Sequence, residues 1–417
     1  MKFLFALAWK NLSRYSRRTL ITAGALAVGV AVFIWMDGWL VGADLESRRN
    51  IVWYEAGSAK LMTRPYFDDL QSMPLKEVIE EPAAVEQALE GLPGVATARR
   101  VSFAGELFVS LGQDAGEGSL FVKAVALDPQ TDGRVFRLEE TLHEGRFLEA
   151  GQPQLLLGEW LARDLGAKVG DWVTLRARSR YGAFQTLDLQ VVGILNCPNP
   201  MINQGMVFLP LEVADEALQM EGAVTEIAVS FPEWQDPAAR LAGIRARLAG
   251  FPELVLADWQ ELAKDFLAIA EGKRAGTSML LFLVFIIAAV GISNTMLMAV
   301  FERVREIGMM RALGMRDGAI RLAFLLEAGG IGLVGSLAGL ALGAALNWVM
   351  VRWGLDLSAW VGEMQIGYRV HSVFRSAWHP QALIGALLFG VLASMLISFI
   401  PSSRALKMRI TDCLRYQ

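Results

Sequence analysis

The chain has 417 residues, 54% of them hydrophobic, and its mean hydropathy of +0.38 lies above that of an ordinary soluble domain. With 20% of residues charged, apolar and charged residues must be segregated along the chain. The net charge of −4 averages a basic inner surface with an acidic outer domain, so it gives no sign of a nucleic-acid partner.

The first 18 residues carry Lys2, Lys10, Arg14, Arg17 and Arg18 and no acid. They lead into the first of four apolar runs, Thr19 to Val41, Thr277 to Val300, Leu322 to Val351 and Ala382 to Ile400. Each is long enough to cross a hydrocarbon core of about 30 Å, which takes roughly 20 residues in a helix. The first run exceeds the apolar core of a signal peptide and continues into Trp35-Met36-Asp37-Gly38-Trp39 rather than a small-residue cleavage site, so an uncleaved helix is expected.

Between the first two runs the pattern is mixed α/β. A helix Ala83 to Leu89 runs through Gly-Leu-Pro-Gly into a strand from Ala98, and a helix Ala238 to Leu248 runs through Ala-Gly-Phe-Pro-Glu into a strand Leu254 to Ala257. Strands at Ala59 to Met62 and Thr225 to Phe231 precede them, giving two βαβ-like halves, about 56–100 and 224–257, that can form one sheet with helices on one face. The intervening 101–222 reads mainly as strands, at Leu107 to Leu111, Leu120 to Ala126, Trp172 to Ala177, Thr186 to Ile194 and Met206 to Leu209, with one helix, Glu159 to Leu165, ended by Gly166. A second, β-rich subdomain is expected there.

Trp259, Leu262, Ala263, Phe266 and Ala270 recur at helical spacing, which predicts an amphipathic helix over 257–273 entering the second span. Leu45, Val52 and Trp53 point to a matching extension of the first span, and the two together form candidate stalks.

After the second span comes an arginine-rich linker, with Arg303, Arg305, Arg311, Arg316 and Arg321, too costly to place in hydrocarbon. It is helical and too short to be a domain, so it reads as a handle for another protein. Glu302, Arg303, Arg305, Glu306 and Arg311 supply charge, Val304, Ile307, Met310 and Leu313 apolar area, and Gly308 and Gly314 close approach and a helix stop. Further on, Gly335, Gly339 and Gly343 repeat every four residues, as do Ala25 and Gly29, a spacing that lets membrane helices pack closely. Glu327 lies about 8 Å into the third span. It is either a packing or proton-linked group or an acid paired near the interface. Asn294 and Asn347 read as interhelical hydrogen-bonding groups.

The basic N-terminus, the linker, and the tail with Arg404, Lys407, Arg409 and Arg415 place both termini in the cytosol, while 352–379 carries only Arg352, Arg369 and Arg375. Trp35, Trp39, Trp348, Trp353 and Trp378 fall at the expected outer boundary. Of the two cysteines, Cys197 then lies outside and Cys413 inside, so they cannot pair within one chain. The organisation is thus 1–43 as N-terminus and first span, 44–274 as the outer domain with stalks, and 275–417 as three spans with the linker helix 302–314. The fold class is a four-helix membrane protein with a large mixed α/β domain between helices 1 and 2.

No catalytic constellation is evident. The histidines, His143, His371 and His379, lack zinc-ligand spacing, and Gly272-Lys273 lacks the glycine and the Ser or Thr of a phosphate-binding loop. No cofactor or metal is expected in this chain, and any energy must come from elsewhere.

The linker ERVREIGMMRALG with Glu327 and the glycine series, the closing PSSRALKMRITDCLR, and the outer GEWLARDLGAKVGDWVTL with LQVVGIL resemble the MacB/FtsX-like permeases of ATP-binding cassette transporters, the group that includes the lipoprotein-releasing LolC and LolE subunits. The resemblance covers essentially the whole chain. It implies a bacterial inner-membrane, mechanotransmission permease without catalytic activity. Two copies of a separate ATPase, holding ATP and magnesium, would dock on Glu302 to Gly314, and the permease would pair with a second copy or a homologous permease. A lipoprotein, or an efflux substrate, would be handled with a periplasmic adaptor or lipoprotein carrier and membrane lipid. Two departures bear on this. No ATPase is fused to the chain, and the loop RSRYGAFQT, where a LolC-type carrier-recruiting hook would fall, is short and lacks proline. The alternative is an FtsX-like, non-transporting regulator of an envelope hydrolase, although FtsX has a much smaller outer domain.

Overall fold

In the computed structural model the described chain opens with one unbroken helix, α1 (Ser16–Ile51). Its 36 residues include no proline, and at 1.5 Å per residue they extend about 54 Å, well past the hydrocarbon thickness. A turn of π-helix, Val52–Ala56, follows, and Gly57 at φ +68° ends it. The expected first span is therefore only the first part of a longer helix.

The structure describes residues 16–109, 118–233, 236–272, 301–356 and 373–409, with scattered positions between 275 and 298 and at 411 and 413. The expected span Thr277 to Val300, with Asn294, lies almost wholly outside them. Two compact units emerge, a sheet unit over 46–268 and a helical unit drawn from 1–45, 269–360 and 372–417. Among the described residues three helices are long and apolar enough to cross a membrane: Thr19–Ala56, Asp317–Arg352 and Pro380–Arg404.

The sheet unit is built on ten strands: β1 (Ala59–Thr63), β2 (Ala96–Val109), β3 (Gly118–Leu127), β4 (Leu142–Gly145), β5 (Gln154–Gly158), β6 (Trp172–Arg178), β7 (Phe184–Leu195), β8 (Met206–Pro210), β9 (Glu226–Ser230) and β10 (Leu254–Asp258). Their order is β10-β1-β9-β2-β3-β8-β5-β7-β4, with β6 bridging β2 and β7. The two βαβ halves interleave. β1 runs antiparallel between β9 and β10, and β9 antiparallel between β1 and β2, so each half supplies the strand that separates the other's pair. Their helices, α2 (Pro82–Leu89) and α3 (Ala238–Arg247), bury Val85, Leu89, Leu241 and Ile244 in one core on one face.

The expected second, β-rich subdomain over 101–222 shares one sheet with the two halves. β2 is 14 residues long, pairing with β9 through its first half and with β6 through its second, so one sheet runs through both regions. Leu61 and Ile227 share a core cluster with Leu155, Leu175 and Leu189. A second cluster on the opposite face takes Leu156, Phe208, Val125 and Val192. β5 and β8 are thus buried on both faces, which is why QLLLG and MVFLP are continuous apolar runs rather than alternating ones.

Charge is buried in this unit as well. Arg100 on β2 donates from Nε and Nη2 to the two carboxylate oxygens of Asp132 at 2.7 and 2.9 Å, and its guanidinium carbon lies 3.3 Å from the Phe136 ring centroid. Lys60 on β1 donates to Glu226 on β9 at 2.8 Å. Burial lowers the Lys60 pKa, and Glu226 opposes that fall. For Glu226, burial raises the pKa, but the charges of Lys60, Lys123 and Arg100 outweigh it and hold the carboxyl below its usual range. Cys197 is buried, and burial pushes its thiol up to about 12, so it is inert at neutral pH.

Among the described residues, two helices dominate the rest of the helical unit. They are preceded by the short α4 (Val304–Ala312) and are α5 (Asp317–Arg352) and α6 (Pro380–Leu406).

Candidate functional site

The linker folds as α4 between two breaks. At its start Arg303 leaves helical geometry (φ −114°, ψ 16°). At its end Gly314 takes φ +88°, and the Gly314 amide donates to the Arg311 carbonyl while the Met315 amide donates to the Met310 carbonyl. This is a Schellman closure, in which the left-handed residue follows the cap and the flanking apolar pair meets. Met310 and Met315 both pack on the cluster of Ile307, Ile320, Phe324 and Leu406. Replacing Gly314 by alanine forces an L residue into that conformation at a cost of about 1 kcal/mol. Amide exchange over 313–315 is expected to speed up roughly fivefold, read by mass spectrometry.

The expectation that the apolar series of the linker faces a partner is corrected by the helix geometry. Val304, Ile307, Met310 and Leu313 step by three residues, and at about 100° per residue such a series drifts, so that nine residues separate opposite faces. Val304, Ile307 and Gly308 are buried against the chain itself, Met310 is half-buried, and Leu313 is 88% exposed. Arg303 is also buried, its Nη1 donating at 2.9 Å to the carboxylate of Glu327 on α5. Arg311 is held by Asp317 at 3.1 Å and donates to the Met408 carbonyl at 2.7 Å. The outward face consists of Arg305, Met309, Leu313 and Arg316, flanked by exposed Glu302 and Gly314 and half-buried Glu306. Arg316 lies outside the expected contact range Glu302 to Gly314, and Met309, inside it, is not among the residues singled out there; a count in steps of four from Arg305 reaches it.

Glu327 and the glycines sit on one helix, α5, with different partners. A β-carbon at Gly335 would meet the Ala23 carbonyl oxygen at 2.8 Å, one at Gly339 the Ala27 carbonyl oxygen at 2.6 Å, and one at Gly343 the Ile34 β-carbon at 2.9 Å. The facing stripe on α1 is therefore Ala23, Ala27 and Ala31. The expected Ala25 and Gly29 lie off it, Ala25 being exposed and Gly29 half-buried. A second seam was not anticipated: Gly332 meets Ser394 and the Gly390 carbonyl of α6, and Gly329 meets Met395. At the other end of α5, Asn347 is buried, accepts from Ser376 and donates to the Ala377 carbonyl, while Asp37 on α1 pairs with His379 at 2.8 Å. Asn347 thus forms hydrogen bonds, but to the non-helical segment before α6 rather than between helices as expected.

The candidate stalk residues divide. Asp258 caps a short helix, Trp259–Leu262, by accepting from the Glu261 amide, so the strand runs one residue further than expected and the helix begins after it. Ala263 (φ −101°, ψ 18°) interrupts it before helix resumes over 264–272. Trp259 is buried with Ile51, Val52 and Ala56, Leu262 packs on that cluster, and Phe266 is 40% exposed.

Comparison with known proteins gives two family matches. Residues 19–247, more than half of the chain, match the MacB-like periplasmic core domain, and residues 278–410 match the FtsX-like permease C-terminal region. An uncharacterized ABC transporter permease of Methanocaldococcus jannaschii is 25% identical over 66% of this chain and 65% of its own length, just under two thirds. The lipoprotein-releasing system transmembrane protein LolC of Neisseria meningitidis is 23% identical over 69% of this chain and 72% of its own. The macrolide export ATP-binding/permease protein MacB of Bdellovibrio bacteriovorus is 26% identical over 68% of this chain and 41% of its own. Among solved structures, the periplasmic region of MacB from Actinobacillus actinomycetemcomitans overlays 51% of this chain and 93% of its own at 12% identity, with a TM-score of 0.35.

Proposed function

We propose, because this chain belongs to the family of FtsX-like ABC transporter permeases with a MacB-like periplasmic core domain, that it is the non-catalytic membrane subunit of a mechanotransmission transporter. The ATP-binding half of the machine is a separate ATPase with its own ATP and magnesium. It docks on the outward face of α4 from the cytosol, and nucleotide-driven movement of α4 is passed through the helical unit to the periplasmic sheet unit. Four spans, cytosolic termini and a pair of permease subunits, identical or homologous, complete the proposal. The substrate class is a molecule presented at the periplasmic side or in the outer leaflet of the inner membrane; the relatives named for lipoprotein release and for macrolide export mark out its range. The β6–β7 connection spans only 179–183, which favours a permease that leaves any lipoprotein carrier to its paired subunit.

The observation that carries this reading is the exposure of Met309 and Leu313 between Arg305 and Arg316. Exposed apolar side chains flanked by arginine suit a docking surface, where methionine and arginine are enriched. The full chain is expected to purify from its own host with an ATP-hydrolysing subunit. Met309→Asp with Leu313→Asp is expected to cut that association at least about 30-fold, since each central anchor contributes on the order of 1–2 kcal/mol or more. Undiminished ATPase recovery with the doubly substituted chain removes α4 as the docking element.

A further inference from the structure

We infer that the buried ion pair between Arg303 and Glu327 clamps α4 to α5 so that the two move as one body when the ATPase acts; the inference rests on the docking role proposed for α4. The two helices form an antiparallel hairpin, fastened at three levels. Arg311 meets Asp317 next to the turn, Ile307 packs on Ile320 and Phe324 in the middle, and Arg303 meets Glu327 at the far end. These fastenings differ in kind. The Arg311–Asp317 pair is partly exposed, with Asp317 half in solvent, and such pairs resist little. The middle layer is apolar and non-directional, so side chains can slide past one another within it.

Arg303–Glu327 alone joins a directional, charge-assisted bond to deep burial, with side-chain exposures of 3% and 5%. It also lies at the break before α4, where Arg303 leaves helical geometry. Without a clamp there, a pull on Met309 and Leu313 would hinge α4 at that break and leave α5 behind. With it, displacement passes to Glu327 and hence to the helix whose glycine seams hold α1 on one side and α6 on the other. Arg303 and Glu327 are in this sense positioning residues: neither faces the ATPase, and both determine what its movement does.

The test uses the full chain copurified with its ATPase, in a background with Cys197 and Cys413 replaced by alanine, and spin labels at Ala312→Cys and Leu333→Cys. In the native pair the label distance is expected to be the same without nucleotide and with ATP and vanadate. In Arg303→Met with Glu327→Met, where apolar side chains of similar reach avoid a lone buried charge, ATP and vanadate should shift or broaden the distance by about 2 Å or more, the scale of helix shifts at moving interfaces. The charge exchange Arg303→Glu with Glu327→Arg should restore the constant distance, which a purely space-filling role would not require. A nucleotide-dependent shift in the native pair, or an unchanged distance in the doubly substituted chain, overturns the clamp. If the methionine variant does not assemble, the native measurement still decides. A native chain that recovers no ATPase overturns the docking reading itself, and the clamp with it.

Discussion

Asp132→Ala is expected to destabilise the sheet unit by about 3–5 kcal/mol, the range for stripping one partner from a buried ion pair. Arg100 is 1% exposed and Asp132 2%, and both carboxylate oxygens are used. The Phe136 ring on the guanidinium supplies cation–π attraction but cannot replace a counter-charge. Arginine does not shed its proton at accessible pH, so the loss has no escape route.

Glu226→Ala offers the contrast. It strands Lys60, whose pKa burial already lowers, and a lysine in that position can discharge. A group whose folded pKa lies below its unfolded value costs most at low pH. The deficit shrinks as pH rises through the folded value toward about 10.4. Glu226→Ala is therefore expected to regain stability as the pH is raised above neutral, and Asp132→Ala is not. Urea titration of the full chain in detergent, followed by amide exchange along Ala96–Val109, measures both. Equal pH dependence in the two variants would refute the argument.

Neither ion pair could be read from the sequence, and the reason is separation along the chain: 32 residues part Arg100 from Asp132, and 166 part Lys60 from Glu226. Local pattern reaches only as far as a turn or a hairpin. Where the signal is local, it held. Gly166 does end the helix Glu159–Leu165 at φ +67°, and strands with alternating burial such as β6 fall within a residue of their expected bounds. β5 has no counterpart among the expected strands: QLLLG offers only three consecutive apolar residues against the four of MVFL in β8, and since neither run alternates, length alone separates them. The candidate site shows a related gap. Which residue types form the linker and the glycine seam was legible; which face each turns inward was not. Residues 23, 25, 27, 29 and 31 of α1 are all Ala or Gly, so composition leaves the phase of the packing stripe undetermined, and only the partner helix fixes it at Ala23, Ala27 and Ala31.

That phase makes Gly339→Leu a strongly damaging change in the helical unit. Its β-carbon alone would sit 2.6 Å from the Ala27 carbonyl oxygen and 2.7 Å from the Val30 β-carbon, and neither can swing aside as the end of a flexible side chain could. Membrane helices gain their association largely from close packing of this sort, so pushing α5 off α1 loses the neighbouring contacts at Gly335 and Gly343 together with its own. Overpacking costs about 1–3 kcal/mol where a core can adjust, and a seam of backbone against backbone places this variant at or above the upper end. Gly385→Leu is the control, because a β-carbon there meets nothing within 4 Å and leucine favours the helix over glycine. Thermal unfolding in detergent is expected to show a clear loss for the first and little change for the second. If the two variants melt alike, the seam does not hold α5 against α1, and the route by which displacement at Glu327 reaches α1 falls with it.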